Sequence, residues 1–220
     1  LAELFYQYLN VEEDFIRSLF THGTTQLGRT FVQEPMLPRD NALEVLDYER
    51  ASSVIRSASH IGVGMCYCRH KMQHRGTACD APMDICMTFN GSAESLTRHG
   101  HARAIDAAEC LDLLDTAYAH GLVQFGENVQ NRVSFICNCC GCCCEAIQGH
   151  VHNTPMLASS GYVCQVDEDL CFGCGYCGTF CQFGAIDYDT GAAQIDAAAC
   201  MGCGVCLSKC DWGALTLVRQ

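Results

Sequence analysis

Apolar residues recur at helical spacing at the start of the chain. Over residues 1–30 this spacing predicts two amphipathic helices that pack on a core or a partner, with Asn10 and Glu13 as a capping box between them. Residues 31–47 contain two prolines and are typical of a connector. Asp47 is expected to cap a further short helix.

Alternation of apolar and polar residues, which is typical of strands, begins later. The alternating positions Ile61, Val63, Met65 and Tyr67 predict a short strand. Asp106 and Glu109 form a capping box for a helix that extends to about His120. Residues 122–125 and 132–136 then predict a hairpin. This mixture indicates the α+β class, and the helix followed by a hairpin resembles a winged helix.

The 220 residues include 20 cysteines, and this count is the feature of the composition that says most about function. An even, high count also occurs in secreted disulfide scaffolds. Here many cysteines lie in Cys-x-x-Cys loops, which suit metal ions better than structural disulfides, and no secretory signal is apparent. Metal ligation in a reducing, anaerobic cytoplasm is therefore predicted.

The formal net charge is −12, and the charge is unevenly distributed. Residues 69–103 have a small basic excess, whereas the chain from residue 133 onward carries two basic and eight acidic side chains. An acidic surface argues against nucleic acid and favours docking of a basic partner. No apolar run approaches the length of a membrane span. Neither nucleic-acid binding nor a membrane span is therefore expected.

Two runs of cysteines near the C-terminus share the spacing C-x2-C-x2-C-x3-C, the ligand spacing of bacterial two-cluster ferredoxins. The first run comprises Cys171, Cys174, Cys177 and Cys181, and the second comprises Cys200, Cys203, Cys206 and Cys210. Three thiolates in one loop can bind three irons of a cubane, and the fourth cysteine reaches the other cluster. Two ligand sets are therefore expected, one of Cys171, Cys174, Cys177 and Cys210, and one of Cys200, Cys203, Cys206 and Cys181.

Residues 160–220 resemble the bacterial dicluster ferredoxin family in these runs. The resemblance implies a small pseudo-symmetric fold in which two short β-hairpins flank two [4Fe–4S] clusters. The implied strands are Tyr162–Val166, Ala185–Tyr188, Ala193–Ile195 and Ala214–Val218. The family usually has proline after the fourth cysteine of each run, and Gln182 and Asp211 stand there in this chain.

A second group of cysteines lies in the first half of the chain and comprises Cys66, Cys68, Cys79 and Cys86. If the predicted strand continues, Cys66 and Cys68 point to the same face. The group is predicted to hold a [4Fe–4S] cluster, with a structural zinc site as the alternative. The nearby cations Arg69, Lys71 and Arg75 would offset its negative charge. Histidines spaced like His70 and His74 are more often solvated or hydrogen-bonded than metal ligands.

Six thiols occupy eight positions in a third group, which comprises Cys137, Cys139, Cys140, Cys142, Cys143 and Cys144. In an extended chain Cys137, Cys139 and Cys143 would point to one face, and Cys140, Cys142 and Cys144 to the other. One segment would then serve two metal centres, the first shared with the Cys66 group. Gly141 is able to turn the chain and change this alternation.

Residues 50–145 also resemble a little-characterised group of multi-cluster iron–sulfur proteins. These proteins carry a C-x-C-R segment and a CNCC-x-CCC run ahead of a dicluster ferredoxin. The resemblance implies electron transfer and no defined substrate.

Four segments are predicted: a helical N-terminal segment 1–46, a cysteine-rich iron–sulfur domain 47–148, a linker 149–161 and a ferredoxin domain 162–220. Cys110 and Cys164 are predicted to be core thiols. The leading hypothesis is an electron-transfer protein with about four [4Fe–4S] clusters, two in the ferredoxin domain and one or two, at most three, before it. Its expected partners are redox proteins, such as a flavoprotein or hydrogenase-, formate dehydrogenase- or reductase-type subunits of an oxidoreductase complex.

Two other classes of function remain open from the sequence. In one, the Cys137–Cys144 run holds a non-cubane or open-site cluster that reduces a disulfide or a thioester. In the other, the protein is an iron–sulfur sensor that controls transcription. The sensor requires a basic DNA-binding face, which the charge balance disfavours.

Overall fold

The computed structural model describes residues 1–20, 26–37, 50–151, 156–189 and 191–220. The helices are α1 Ala2–Tyr6, α2 Glu13–Phe20, α3 Ala51–Ser57, α4 Tyr67–His74, α5 Asn90–Arg98, α6 Ala107–Ala119, α7 Glu145–Val151 and α8 Tyr176–Thr179. The strands are β1 Gly28–Thr30, β2 Ile61–Met65, β3 Asp84–Phe89, β4 Arg103–Ile105, β5 Val123–Glu127, β6 Phe135–Cys139, β7 Leu157–Ala158, β8 Tyr162–Val166, β9 Ile186–Asp187, β10 Gln194–Ile195 and β11 Leu215–Arg219. The predicted cap Asp47 lies outside the described residues.

The N-terminal helices are present, but the capping box predicted between them is wrong. A π-helical turn, Gln7–Val11, follows α1 directly, so Asn10 has helical surroundings and does not cap α2. The side chain of Asn10 instead contacts Lys71 and Glu145, far along the chain. A tertiary contact therefore replaces the local one that the spacing suggested.

A seven-stranded sheet in the order β4-β2-β3-β6-β5-β1-β7 forms the centre of the first part of the chain. Its pairs are antiparallel except for β1 with β7. Along β3, Ile85, Met87 and Phe89 are buried on one face, as the alternation of a strand requires. Met87 and Phe89 pack in a core cluster with residues of α3 and α6.

The predicted helix and hairpin in the middle of the chain are both present, as α6 and the pair β5–β6. Strands β3 and β1 pair with the outer sides of this hairpin, so it lies within the large sheet. The mixed helix and sheet content agrees with the α+β class. The winged-helix resemblance is not confirmed, because the hairpin is part of a wider sheet.

The C-terminal part contains two small antiparallel pairs, β8 with β11 and β9 with β10. All four strands lie where the sequence predicted them. Only β9 and β10 form a local hairpin, because β11 returns from the end of the chain to pair with β8.

The C-terminal part packs against the face of the large sheet opposite α3 and α6. Val123 and Phe125 of β5 share a core cluster with Phe183, Met201 and Val205 of the C-terminal part. The backbone N–H of Gln33 also donates to the carbonyl of Cys203. Among the described residues, no helix has the length and apolar character that a membrane span requires.

Candidate metal centres

The eight cysteines of the C-terminal runs line two cavities in the combinations that the spacing predicted. A cavity of about 160 Å³ is lined by Cys171, Cys174, Cys177 and Cys210. A smaller cavity is lined by Cys181, Cys200, Cys203 and Cys206. In each case the fourth thiol comes from the other run. Four converging thiols are the donor set that a [4Fe–4S] cluster takes, so the residues present fit that group.

The loops around these cavities bring backbone amides to the thiols. The N–H of Ala193 donates to Sγ of Cys171, and the N–H of Ala185 donates to Sγ of Cys181, each at 3.3 Å. Such hydrogen bonds to cysteine sulfurs tune a bound cluster. Gly202 has a φ of +64°, and a side chain there would collide with the Tyr162 carbonyl and the Ser160 hydroxyl.

Cys164 lies nearer to this chemistry than the sequence suggested. It is buried on β8, as predicted for a core thiol, but it also lines the second cavity. Its Sγ lies 3.7 Å from Sγ of Cys206. Its position on the strand just before the first run was the one signal in the sequence that could have indicated this proximity.

The prediction that Cys66 and Cys68 share a strand is wrong. Strand β2 ends at Met65, Cys66 is the N-cap of α4, and Cys68 lies in the first turn of that helix. His70 and His74 are therefore one helical turn apart, with their Nε2 atoms 3.2 Å apart. They form a histidine pair, as expected for hydrogen-bonded residues.

Six thiols meet where β2, β3, β6, α4 and α7 converge. The register of β3 with β6 places Cys86 beside Cys137. Hydrogen-bonding contacts join the six thiols in a continuous series of Cys66, Cys86, Cys137, Cys139, Cys144 and Cys68. We call these residues the six-thiol set. It holds more donors than one cubane requires.

Contacts within the six-thiol set favour the thiolate form at two positions. Hydrogen bonds from Cys139 and Cys86 lower the pKa of Cys137 to about 6, although burial opposes this. Hydrogen bonds from Cys139 and Cys68 hold the pKa of Cys144 well below its usual value, and the backbone N–H groups of Ala146 and Ile147 add to the effect. The same contacts between thiols, together with burial, raise the pKa of the other four members, Cys66, Cys68, Cys86 and Cys139. Since metals bind thiolates, Cys137 and Cys144 are the members that these contacts favour as ligands.

Four further thiols form a tighter group, Cys79, Cys140, Cys142 and Cys143, which we call the four-thiol set. Their sulfur atoms all lie within 4.8 Å of one another. The Sγ atoms of Cys79 and Cys140 are 3.4 Å apart, and those of Cys142 and Cys143 are 3.5 Å apart. Burial would raise the pKa of Cys79, but hydrogen bonds from the Ala81 N–H, Arg69 and Cys140 lower it to about 7.

This division differs from the one predicted in two respects. Cys79 lies with the Cys140–Cys143 segment and not with Cys66, Cys68 and Cys86. Cys143 and Cys144 are exchanged relative to the predicted alternation. The reason is that β6 ends at Cys139 and residues 141–143 form a turn, so the faces no longer alternate.

Two buried cations lie beside these sets. The guanidinium of Arg69 donates to Sγ of Cys140 at 3.4 Å and to the carbonyl of Pro82 at 2.5 Å. The ammonium of Lys71 pairs with Glu145 and donates to Asn10. Both cations were predicted to offset thiolate charge, whereas Asn10 and Glu145 were missed because nothing local in the sequence connects them to Lys71.

Gln182, which replaces the proline that the ferredoxin family usually has, joins the two parts of the chain. The N–H of Gly141 donates to its Oε1 at 2.5 Å, and its Nε2 donates to the carbonyl of Gly121 at 3.2 Å. Proline has no side-chain amide and could make neither bond. The residue after Cys181 is thus bonded to the centre of the Cys137–Cys144 run.

Part of the chain matches a known protein family. Residues 164–187 match the family described as a 4Fe-4S binding domain. No curated protein matches the chain. The match covers the first C-terminal run and supports iron–sulfur electron transfer with at least one [4Fe–4S] cluster.

Proposed function

We propose that this protein is a multi-centre electron carrier, with two [4Fe–4S] clusters in the C-terminal part and a further iron–sulfur centre at the six-thiol set. The four-thiol set is then a fourth metal centre. The observation that carries the proposal is that the cysteines converge in separate thiol sets. The contact of Gln182 with Gly141 links the C-terminal sets to the Cys137–Cys144 run. When bound, the clusters supply one-electron redox chemistry without substrate binding.

The surface next to the first C-terminal cavity has the properties of a docking site for a redox partner. Phe172, Tyr176 and Trp212 line that cavity and are 61%, 52% and 64% exposed. Large exposed aromatic groups mark interaction surfaces. Asp211 and the acidic excess of the C-terminal part favour a partner with a basic rim. Flavoproteins and subunits of oxidoreductases are the expected class.

The burial of several thiols in the six-thiol set favours the electron carrier over the reductase alternative. Cys66, Cys139 and Cys144 are each no more than 3% exposed, and the other three members are half-buried, so a disulfide or thioester substrate would reach at most half of the six-thiol set. The proposal also requires a reducing compartment, because free thiols in this number oxidise elsewhere.

Iron and acid-labile sulfide per chain, measured on protein purified without oxygen, test the carrier. More than about eight irons is expected, since two cubanes account for eight and the six-thiol set adds more. About eight irons or fewer would contradict the N-terminal centre. Redox-titrated EPR should then show signals that do not change when disulfides or thioesters are added, whereas a substrate-dependent signal would favour the reductase.

Substitutions assign the iron to each set. Cys174→Ala should remove iron from the first C-terminal cavity. The triple variant Cys86→Ala, Cys137→Ala, Cys139→Ala should remove iron from the six-thiol set, because it leaves only three thiols there and a cubane takes four. Cys110→Ala is the control for loss of a thiol outside the sets, because Cys110 is buried in the core cluster on α6. Equal iron contents in the triple variant and in Cys110→Ala protein would contradict a cluster at the six-thiol set.

A further inference from the structure

The spacing of the four-thiol set differs from that of a cluster site. In a cubane each thiolate binds a different iron, so the sulfurs are held well apart. Around one tetrahedral ion with metal–sulfur bonds of about 2.3 Å, neighbouring sulfurs lie about 3.8 Å apart. The sulfurs of Cys79, Cys140, Cys142 and Cys143 all lie within 4.8 Å of one another, with two pairs at 3.4 and 3.5 Å. This spacing fits a single ion.

The other thiol sets provide a comparison inside the same molecule. Among the described residues, the four-thiol set is the one group in which three or more potential ligand atoms all lie within 4.8 Å of one another. The C-terminal sets surround cavities, and the six-thiol set forms an extended series of contacts. Close approach is therefore a property of these four thiols and not of every cysteine cluster here.

We propose that Cys79, Cys140, Cys142 and Cys143 bind one zinc ion in a tetrahedral site. All four donors are cysteine sulfurs, and four cysteines, which bind as thiolates, are a common ligand set of structural zinc. The site goes beyond the proposed electron transfer, since zinc has no redox chemistry.

The surroundings of the set match a structural zinc site. Four thiolates around a divalent ion leave a net negative charge, and the fully buried Arg69 lies against Cys140 and Cys79 to offset it. The Ala81 N–H also donates to Cys79. Such outer contacts orient ligands and stabilise their charge. Cys142 is exposed, so the ion has access from solvent.

The position of the site indicates what the ion does. It fastens the loop before β3, through Cys79, to the turn after β6. That turn contains Gly141, whose N–H binds Gln182 and whose carbonyl accepts from Gln148. Zinc would therefore hold the turn in the conformation that contacts the C-terminal part.

Zinc-edge X-ray absorption on the unmodified, anaerobically purified chain tests the site directly. The expected result is about one zinc per chain with four sulfur neighbours at about 2.3 Å and no metal neighbour. Absence of zinc, nitrogen or oxygen in the zinc shell, or an iron neighbour would overturn the proposal.

Metal analysis of two variants tests the ligands. Cys142→Ala should reduce zinc from about one per chain to nearly none and leave iron unchanged, because Cys142 belongs to this set alone. Cys174→Ala should reduce iron and leave zinc unchanged. Iron loss in Cys142→Ala protein, or zinc loss in Cys174→Ala protein only, would overturn the zinc site. Iron loss in Cys142→Ala protein would leave the carrier intact, because the carrier depends on iron at the other sets. Zinc loss in Cys174→Ala protein would count against both proposals, because Cys174 lines the first C-terminal cavity.

Discussion

Gly202 is a residue for which both backbone conformation and packing require glycine. Its φ of +64° is strained for any side chain, and a Cβ would collide with Tyr162 and Ser160. Gly213 has the same φ, yet its Cβ position has no neighbour within 4 Å. Comparing substitutions at the two glycines therefore separates the effect of backbone strain from the effect of a steric collision.

We expect Gly202→Ala to cost clearly more stability than Gly213→Ala. Both carry the strain of positive φ, about 1–2 kcal/mol, but only Gly202→Ala must also displace the Tyr162 carbonyl beside the second C-terminal cavity. Gly202→Ala protein should lose about four irons, one cubane, while Gly213→Ala protein keeps its iron. Anaerobic melting and iron analysis measure both effects. Equal iron contents would contradict the close packing of this loop.

At the scale of elements, α6 forms only half of the capping box that the sequence predicted at its N-terminus. Asp106 caps the helix as predicted, accepting from the N–H of Glu109 at 2.8 Å. In the other half of a capping box, the side chain of Glu109 would accept from the backbone N–H of Asp106. Here Glu109 pairs instead with Arg103 of β4, at 2.6 Å. The cap belongs to the helix itself, whereas the partner of Glu109 depends on the neighbouring strand.

Asp106→Ala should destabilise the protein by about 1 kcal/mol, because the N–H of Glu109 loses its acceptor. Asp112→Ala, at an exposed position of the same helix, is the control and should have a much smaller effect. Melting temperature measured without oxygen reports the difference. Similar losses in both variants would show that the cap contributes nothing specific.

At the scale of the whole molecule, the Lys71–Glu145 ion pair connects parts that are distant in sequence. Lys71 of α4 is 1% exposed, and Glu145 begins α7 directly after the cysteine run. Asn10 of the N-terminal turn contacts both. Burial lowers the pKa of Lys71, while nearby thiolates at Cys68, Cys143 and Cys144 oppose that shift. The N-terminal turn is thus anchored beside the thiols of Cys68, Cys143 and Cys144.

Glu145→Gln should therefore destabilise the protein by roughly 3 kcal/mol, since it leaves a buried ammonium without its carboxylate. The double variant Lys71→Met, Glu145→Leu should recover much of that loss, because it removes both charges together. Anaerobic melting of the two variants gives the comparison. If the double variant is no more stable than Glu145→Gln protein, an unpaired buried charge does not explain the loss of stability.

Charge on the C-terminal surface predicts how reduced protein reacts with small oxidants. Hexaamminecobalt(III), a cation, should oxidise it more slowly as ionic strength rises from about 0.01 to 0.15 M, because screening then shortens from about 30 to 8 Å. Ferricyanide, an anion, is the control and should react faster over the same range. Stopped-flow absorbance measures both rates. Equal salt dependence would contradict an acidic entry point.

The sequence by itself determined which C-terminal cysteines line each of the two cavities and where the strands around them lie. Three cysteines of each cavity share a loop and are held close by the chain, and the ligand pattern of two-cluster ferredoxins supplied the fourth, from the other run. Only the tertiary structure decided how the ten thiols of the six-thiol and four-thiol sets divide. These come from separate strands, loops and helices, and their grouping depends on sheet register and on the turn at Gly141. The same reason applies to Gln182, whose partners at Gly121 and Gly141 become neighbours only in the folded chain.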